Sequence, residues 1–321
     1  MPEKTHSPIL ESILRRIGQP DLPEVLADQL SGTEINTLLL EVFARRVKGM
    51  NAGDLLKSYQ KNRLVKPADL PVLPLREMEL DYLRLFDRHQ FEPVELSPVS
   101  PLGSCAVVGT THQHKVLSAL RGTEVLADAT NALALHVACL KKEKVWQPDA
   151  GDRRRFCVIQ RHLRTQAIAG AGFTPHFKIA ALVTAGYDTG NCVFECEALS
   201  EHVNAVTELY RDYHQVSGMR IRLLCHDGYP NPAAFAQKLK QYVTEKLPKV
   251  EIEIIERPQK QNAYYHGVQY KIDIDHGGRT WEIGDGGFVN WTQTLLQNRK
   301  ERMFTTGLGF EFMYRIANNL I

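Results

Sequence analysis

The chain has 321 residues, of which 39 are basic and 37 acidic, a net charge of +2. Apolar residues make up 43% and charged residues 24%, ordinary globular values that exclude a disordered, collagen-like or coiled-coil protein. The near balance of charge gives no global field for nucleic acid, although a local basic patch stays open. At about 100–200 residues per domain the length allows one large domain or two ordinary ones, and a body this size needs no disulfides to fold. The six cysteines are scattered without a C-x-x-C pair, and no run approaches the ~18 apolar residues of a membrane span. Residues 1–7 lack the charged-then-apolar order of a leader peptide. The expectation is a cytoplasmic protein with reduced thiols and no membrane partner.

Residues 8–66 read as helical. Leu10, Ile13, Leu14 and Ile17 repeat at helix spacing and Gly18 stops them. Ser31 and Glu34 have the spacing of a capping box, followed by Leu38, Leu39, Val42 and Phe43 on one face. A third helix is expected over 51–59. Pro67, Pro71 and Pro74 then mark a linker. This divides the chain into a helical N-terminal domain, 1–75, and a mixed region, 76–321.

In the mixed region a helix is expected over 76–89, an extended segment over 91–96, and a helix over 125–140. Strands over 156–160 and 176–184 flank a loop with Gly170 and Gly172. Leu199, Val203, Val206, Tyr210 and Tyr213 step by four and three, an amphipathic helix. Strand 219–225, helix 233–247 and strand 250–256 follow, a strand–helix–strand insertion within 187–262. Strands 264–274 and 280–283 lead to a glycine loop, 284–287, and a last helix starts near Phe310. Strands joined by short turns, with helices outside them, predict an α+β fold on an antiparallel-rich sheet.

Two segments suggest chemistry. The first is the turn with Arg161, His162 and Arg164, since guanidinium forks match phosphate oxygens; a solvated hairpin is the alternative. The second joins Tyr264-Tyr265-His266-Gly267, Gly284-Asp285-Gly286-Gly287 and Gly307-Leu308-Gly309-Phe310-Glu311. Glycines permit close approach to a ligand and a helix start favours anions, but turns alone also explain them.

In this order the pieces resemble the class II aminoacyl-tRNA synthetase catalytic core over about three quarters of the chain, the histidyl-tRNA synthetase branch and the regulatory subunit of ATP phosphoribosyltransferase above all. The helix and the strand after it that ends in residues 91–98 resemble motif 1, which forms the family's dimer interface. Val125-Leu126-Ala127-Asp128-Ala129-Thr130 resembles the L-R-P-E-G-T segment, Gln160-Arg161-His162-Leu163-Arg164 the F-R-H-E-R of motif 2, Tyr264-Tyr265-His266-Gly267 the Y-Y-T-G of the histidine motif, and residues 307–312 the G-x-G-x-E-R of motif 3.

The resemblance implies roles, and the departures from it limit them. Arg161 keeps the arginine placed on the ATP α-phosphate, and Asp128 the acid that receives the substrate amino group, shortened. The motif 2 glutamate becomes Leu163, and the nucleotide-binding arginine after Glu311 becomes Phe312, which cannot replace a guanidinium against triphosphate but can stack on a base. The glutamine and glutamate after motif 2 fall at Ile179 and Val183, the aspartate before the tyrosine pair at Ala263, and the catalytic arginine near Lys260. An apolar wall leaves imidazole N–H groups unpaired, so histidine is not the expected substrate. The chain ends just after the motif 3 match, so ordinary tRNA charging is not expected either.

Metal candidates are thinner. His112 with His114, Cys192 with Cys196, and the Cys225-His226-Asp227 run lack a second pair at a familiar zinc spacing, and no zinc is expected. Adjacent residues of a strand face opposite ways, which also argues against a Cys225–His226 nucleophile. Asp273 and Glu282, with Asp275 and Asp285 nearby, are candidates for Mg²⁺ beside a triphosphate, a solvated strand end being the alternative.

Three readings follow. The first is a non-charging paralogue that binds an amino acid or nucleotide through Asp128, Arg161, Arg164, Tyr264 and Tyr265, with Ile179 and Val183 as wall, and acts as a regulatory or accessory subunit. The second is ATP- and Mg²⁺-dependent activation of a non-histidine carboxylate, with Arg161, Glu311 and Phe312 at the nucleotide and Lys260 on the oxyanion. The third is a dimer platform that recruits a protein through residues 1–75. A homodimer is expected in each, because motif 1 would otherwise expose an apolar helix and strand.

Overall fold

The computed structural model describes residues 7–149, 151–166, 174–260 and 262–321; the loop with Gly170 and Gly172 lies outside them. The leading segment forms α1 (Pro8–Ile17), α2 (Leu22–Glu24), α3 (Gly32–Lys48) and α4 (Ala52–Lys61). Local signals explain their ends. The Ser7 hydroxyl caps α1 and Gly18 closes it at φ 67°, a left-handed turn that glycine adopts without strain. Ser31 and Glu34 form the reciprocal capping box of α3. Packing does not follow the same pattern. Among the described residues up to 70, Leu14 is the only buried one, while Ile13, Leu38, Val42, Phe43, Leu55 and Leu56 are exposed. These helices enclose no core of their own.

The main body starts with α5 (Val72–Arg88), a few residues before the expected boundary at 75; Pro71 takes the N-cap and Pro74 sits in the first turn, where no intrahelical N–H is needed. Then come β1 (Glu92–Pro93), β2 (Val99–Pro101), β3 (Ser118–Ala119), β4 (Thr123–Val125) and α6 (Ala129–Lys142). The long hairpin β5 (Arg153–Leu163) and β6 (His176–Tyr187) leads to α7 (Val193–Thr207), β7 (Gly218–Cys225), α8 (Pro232–Lys246) and β8 (Glu251–Ile255). The chain closes with β9 (Val268–His276), β10 (Arg279–Val289), α9 (Trp291–Leu296), β11 (Glu301–Leu308) and α10 (Phe310–Ala317).

Eight strands form one sheet in the order β1-β5-β6-β11-β10-β9-β7-β8, and β2, β4 and β3 form a small second sheet. The inner six strands are antiparallel, and β1 and β8 pair parallel at the two edges. The expected insertion is therefore part of the sheet, because β7 pairs directly with β9 from Gly218↔Asp275 to Cys225↔Val268. Alternation along the strands builds two cores. Cys157, Ile159, Ala180 and Leu182 face α5, α7, α8 and α10, while Phe156, Val158, Ala181 and Val183 face α6 and α9.

Two expectations change. The glycine run 284–287 is the middle of β10, not a loop. A Cβ on Gly284 would stand 2.5 Å from the Gly307 carbonyl, and one on Gly287 2.6 Å from the Tyr265 ring; these glycines let neighbouring backbone and aromatic rings lie flat on the strand. Motif 1 also differs. Helix α5 buries Leu75, Met78, Tyr82, Leu85 and Phe86 against its own sheet, leaving Val72, Leu73 and Leu80 as its exposed large apolar residues. The helix of the motif 1 match therefore buries its main apolar face without a second subunit.

Candidate functional site

On the α6 face of the sheet a cavity of about 310 Å³ opens between the start of α6, the end of β5, the turn before β9 and the middle of β10. Its lining includes Cys105, Lys115, Asp128, Arg164, Tyr264, Tyr265 and Asp285. A deeper recess of about 80 Å³ adjoins it, walled by Asp128, Thr130, His162, Arg164, Ile179, Tyr264, Tyr265, Asp285 and Thr305 among others.

Asp128 is the N-cap of α6. Its Oδ1 accepts from the Thr130 N–H at 2.9 Å and the Thr130 hydroxyl at 2.6 Å, and its Oδ2 from the Tyr264 hydroxyl at 2.8 Å. These bonds fix the carboxylate at a helix start, where its charge is favoured. Arg164 is anchored by its Nε, which donates to the Ala127 carbonyl at 3.1 Å, and by the Phe177 ring 5.6 Å away. Tyr264 and Tyr265 pack edge to face at 4.8 Å, and burial pushes both phenols well above the usual range, so they stay protonated as donors. The recess therefore joins hydroxyl donors and carboxylates to the Arg164 guanidinium, and the outer cavity adds the Lys115 ammonium.

Sequence reasoning did not assign Asp285, His162, Lys115 or Cys105 to this pocket. Asp285 hydrogen bonds Tyr265 and accepts from Gln269 Nε2 at 2.8 Å; the Gln269 amide is held in turn by His226 Nε2, 3.0 Å from its Oε1. Burial raises the Asp285 carboxyl above its ordinary value. His162 is 1% exposed, and burial lowers its imidazole to about 4, so it is neutral at physiological pH. Its Nε2 accepts from the Ala129 N–H at 3.0 Å, which places the proton on Nδ1. Cys105 also lines the cavity, but burial pushes its thiol up to about 12, so it is no nucleophile.

The structure brings together Asp128, Arg164, Tyr264, Tyr265 and Ile179. The other expected residues lie elsewhere, and sheet periodicity gives the main reason. Arg161 neighbours His162 on β5 and so faces the opposite side, where it pairs with Glu311 of α10 and bonds His176 Nδ1 at 3.0 Å. Phe312 packs there too, edge to face with Trp281 at 5.9 Å. Neither Arg161, Glu311 nor Phe312 lines the cavity or its recess. Val183 is fully buried between Phe156 and Thr305 in the sheet, further along β6 from the recess. Lys260 is exposed and lines neither space. Asp273 and Glu282 are neutralised in place: Arg222 holds Asp273 with two hydrogen bonds and reaches Glu282 at 2.8 Å, and Lys271 also pairs with Glu282 at 2.8 Å. Among the described residues no three His, Cys, Asp or Glu converge as a metal cluster.

No family model and no curated protein sequence matches the chain. Solved structures do. An ATP phosphoribosyltransferase regulatory subunit/histidyl-tRNA synthetase from Bacillus halodurans superposes with a TM-score of 0.59 at 12% identity, over 80% of this chain and 83% of that one. The apo histidyl-tRNA synthetase of S. aureus gives 0.57 at 11%, over 79% and 70%. The RNA binding domain of threonyl-tRNA synthetase from Cryptosporidium parvum gives 0.57 at 13%, over 76% and 64%. At these identities the likeness is one of fold, and the chain has the class II aminoacyl-tRNA synthetase-like fold.

Proposed function

We propose that this chain is a non-charging paralogue of the histidyl-tRNA synthetase branch, which binds a small amino-acid-like molecule and works as a regulatory or accessory subunit. One observation carries the reading. The cavity beside α6 holds both signs of charge, Asp128 and Asp285 against Arg164 and Lys115, while the arginine expected on a nucleotide phosphate is turned away and paired with Glu311. A site of mixed charge suits a zwitterion. The reading gives ATP and Mg²⁺ no part, since Arg161, Asp273 and Glu282 are each held by an oppositely charged side chain.

An accessory role draws support from the leading helices, whose apolar faces stand exposed as docking surfaces commonly do, and from the name of the Bacillus halodurans relative, a regulatory subunit. On this reading residues 1–75 dock a protein partner, a second copy of the chain completes a homodimer, and the assembly works in the cytoplasm. The test of the non-charging half is amino-acid-dependent pyrophosphate exchange with Mg·ATP. No amino acid is expected to support exchange; sustained exchange with any of them overturns the reading.

A further inference from the structure

The leading helices carry a packing problem that the cavity does not touch. Of the 23 large apolar side chains exposed among the described residues, 13 lie in 7–66, from Ile9 to Val65. Helix α3 shows it best. At about 100° per residue, Leu38, Leu40, Val42, Phe43 and Val47 spread around roughly half of the helix. A surface helix needs an apolar stripe only about 100° wide. Yet no residue of α3 is buried, and Phe43 and Val47 are 49% and 64% exposed.

The body of the same chain does not cover these faces. Hydrogen bonds fasten the segment to it through polar atoms. Asn36 Oδ1 accepts from the Arg121 N–H at 2.9 Å, and Arg63 donates to the Thr165 carbonyl. The Lys66 carbonyl accepts from His176 Nε2 at 2.6 Å, and the Asp69 carbonyl from Arg315 at 3.2 Å.

The charge pattern selects what fits there. Helices α1, α3 and α4 each start with an acid and end with bases: Glu11 then Arg15 and Arg16, Glu34 then Arg45, Arg46 and Lys48, Asp54 then Lys61. That order suits each helix's own dipole. It also makes the face complementary to itself. A two-fold axis perpendicular to α3 lays the helix antiparallel on its copy, so the Glu34 end of one meets the Lys48 end of the other. Residues 7–66 hold nine basic and seven acidic side chains, so two copies meet with little net repulsion, and a strongly charged partner finds no matching field. The area agrees. A buried aliphatic or aromatic side chain removes roughly 60–120 Å² of apolar surface from water, so 13 that are about half exposed offer roughly 400–800 Å² per chain. A standard interface takes about 800 Å² from each partner.

We infer that the leading helices are a self-association surface, packing antiparallel on the same helices of a second copy and completing a core that one chain lacks. The inference rests on the reading of residues 1–75 as a docking surface and names what docks. It moves the contact between copies away from the motif 1 match, whose helix is already buried on its own sheet.

The test is light scattering of the full chain over a range of concentrations, with hydrogen exchange of the leading helices in parallel. The wild type is expected to be a dimer with protected amides in α3. Phe43→Asp and, separately, Leu55→Asp are expected to weaken it at least about 100-fold, because each change acts twice across a two-fold interface. Both positions are exposed in the single chain, at 49% and 59%, so the melting of the body is expected to stay as it is, and either variant serves if the other does not fold. Leu80→Asp, on the exposed side of α5, is expected to leave the dimer intact. A dimer that Phe43→Asp and Leu55→Asp leave unmoved, whether or not Leu80→Asp breaks it, overturns the inference. A monomeric wild type overturns it too. Fast exchange in the leading helices then leaves the docking reading standing for a different partner; slow exchange means that the body itself covers them and removes that reading as well.

Discussion

Lys141→Met is expected to cost about 3–5 kcal/mol, the usual effect of removing one partner from a buried ion pair. Lys141 ends α6 and pairs with Glu301 at the start of β11, and their side chains are 6% and 2% exposed. The ammonium also lies 4.5 Å from the Trp146 ring and 4.2 Å from the Tyr187 ring. Without it the Glu301 carboxylate keeps only Asn298 Nδ2, at 3.3 Å, among the described residues. Burial pushes the lysine down and the glutamate up, so each charge is tolerated only because of the other. Such a pair is a poor source of net stability, and apolar groups of similar volume often replace it without loss. The double variant Lys141→Met/Glu301→Leu is therefore expected to recover most of the stability lost by the single one. Urea unfolding of the four members of this cycle measures the coupling; single variants that unfold at the wild-type midpoint would refute it.

The second large effect concerns Arg161. In a nucleotide site an arginine on the α-phosphate contributes to ligand binding, and its loss leaves the fold intact. Here Arg161 closes a pair with Glu311, whose side chain is 4% exposed in the first turn of α10. Arg161→Met is expected to destabilise the chain by about 3 kcal/mol, the lower end for a buried pair, because the arginine itself is 34% exposed and water screens it in part. Binding at the cavity is expected to be unchanged, since Arg161 lies on the other face of the sheet. Chemical unfolding together with ligand titration separates the cases. Unchanged stability with lost binding would place Arg161 in the site after all.

The contrast between Arg161 and His162 also shows what could be read from sequence. Residue types and their order identify the β5–β6 hairpin, the capped α6 with Asp128, and the two tyrosines, because each depends on local signals. Which residue of the basic turn faces the cavity depends instead on strand register. Residues 160, 162 and 164 share one side of β5 and its extension, and matching the hairpin to a motif by residue type selects the arginine that points the other way. That Asp285 reaches the cavity from a strand is not legible for a different reason. Glycines on both sides of it carry no hydrophobic alternation, so a strand reads as a loop, and the rings that need the space come from positions 265 and 270. For the leading helices, periodicity and caps reveal the helices but not what they pack on. The metal candidates turn on long-range pairing: Asp273 and Glu282 look unpaired in the sequence, but Arg222, on another strand, bonds both.

The central claim is that the cavity beside α6 takes a small amino-acid-like molecule and no nucleotide. Thermal melting of the purified chain, alone, with Mg·ATP, and with a panel of free amino acids, tests it most directly. A ligand present at about 100 times its dissociation constant adds about 2.7 kcal/mol to the folded state. The account predicts a raised melting temperature with at least one amino acid, reduced by Asp285→Asn, and none with Mg·ATP. A saturable rise with Mg·ATP that Arg161→Met abolishes, with no response to any amino acid, would contradict it.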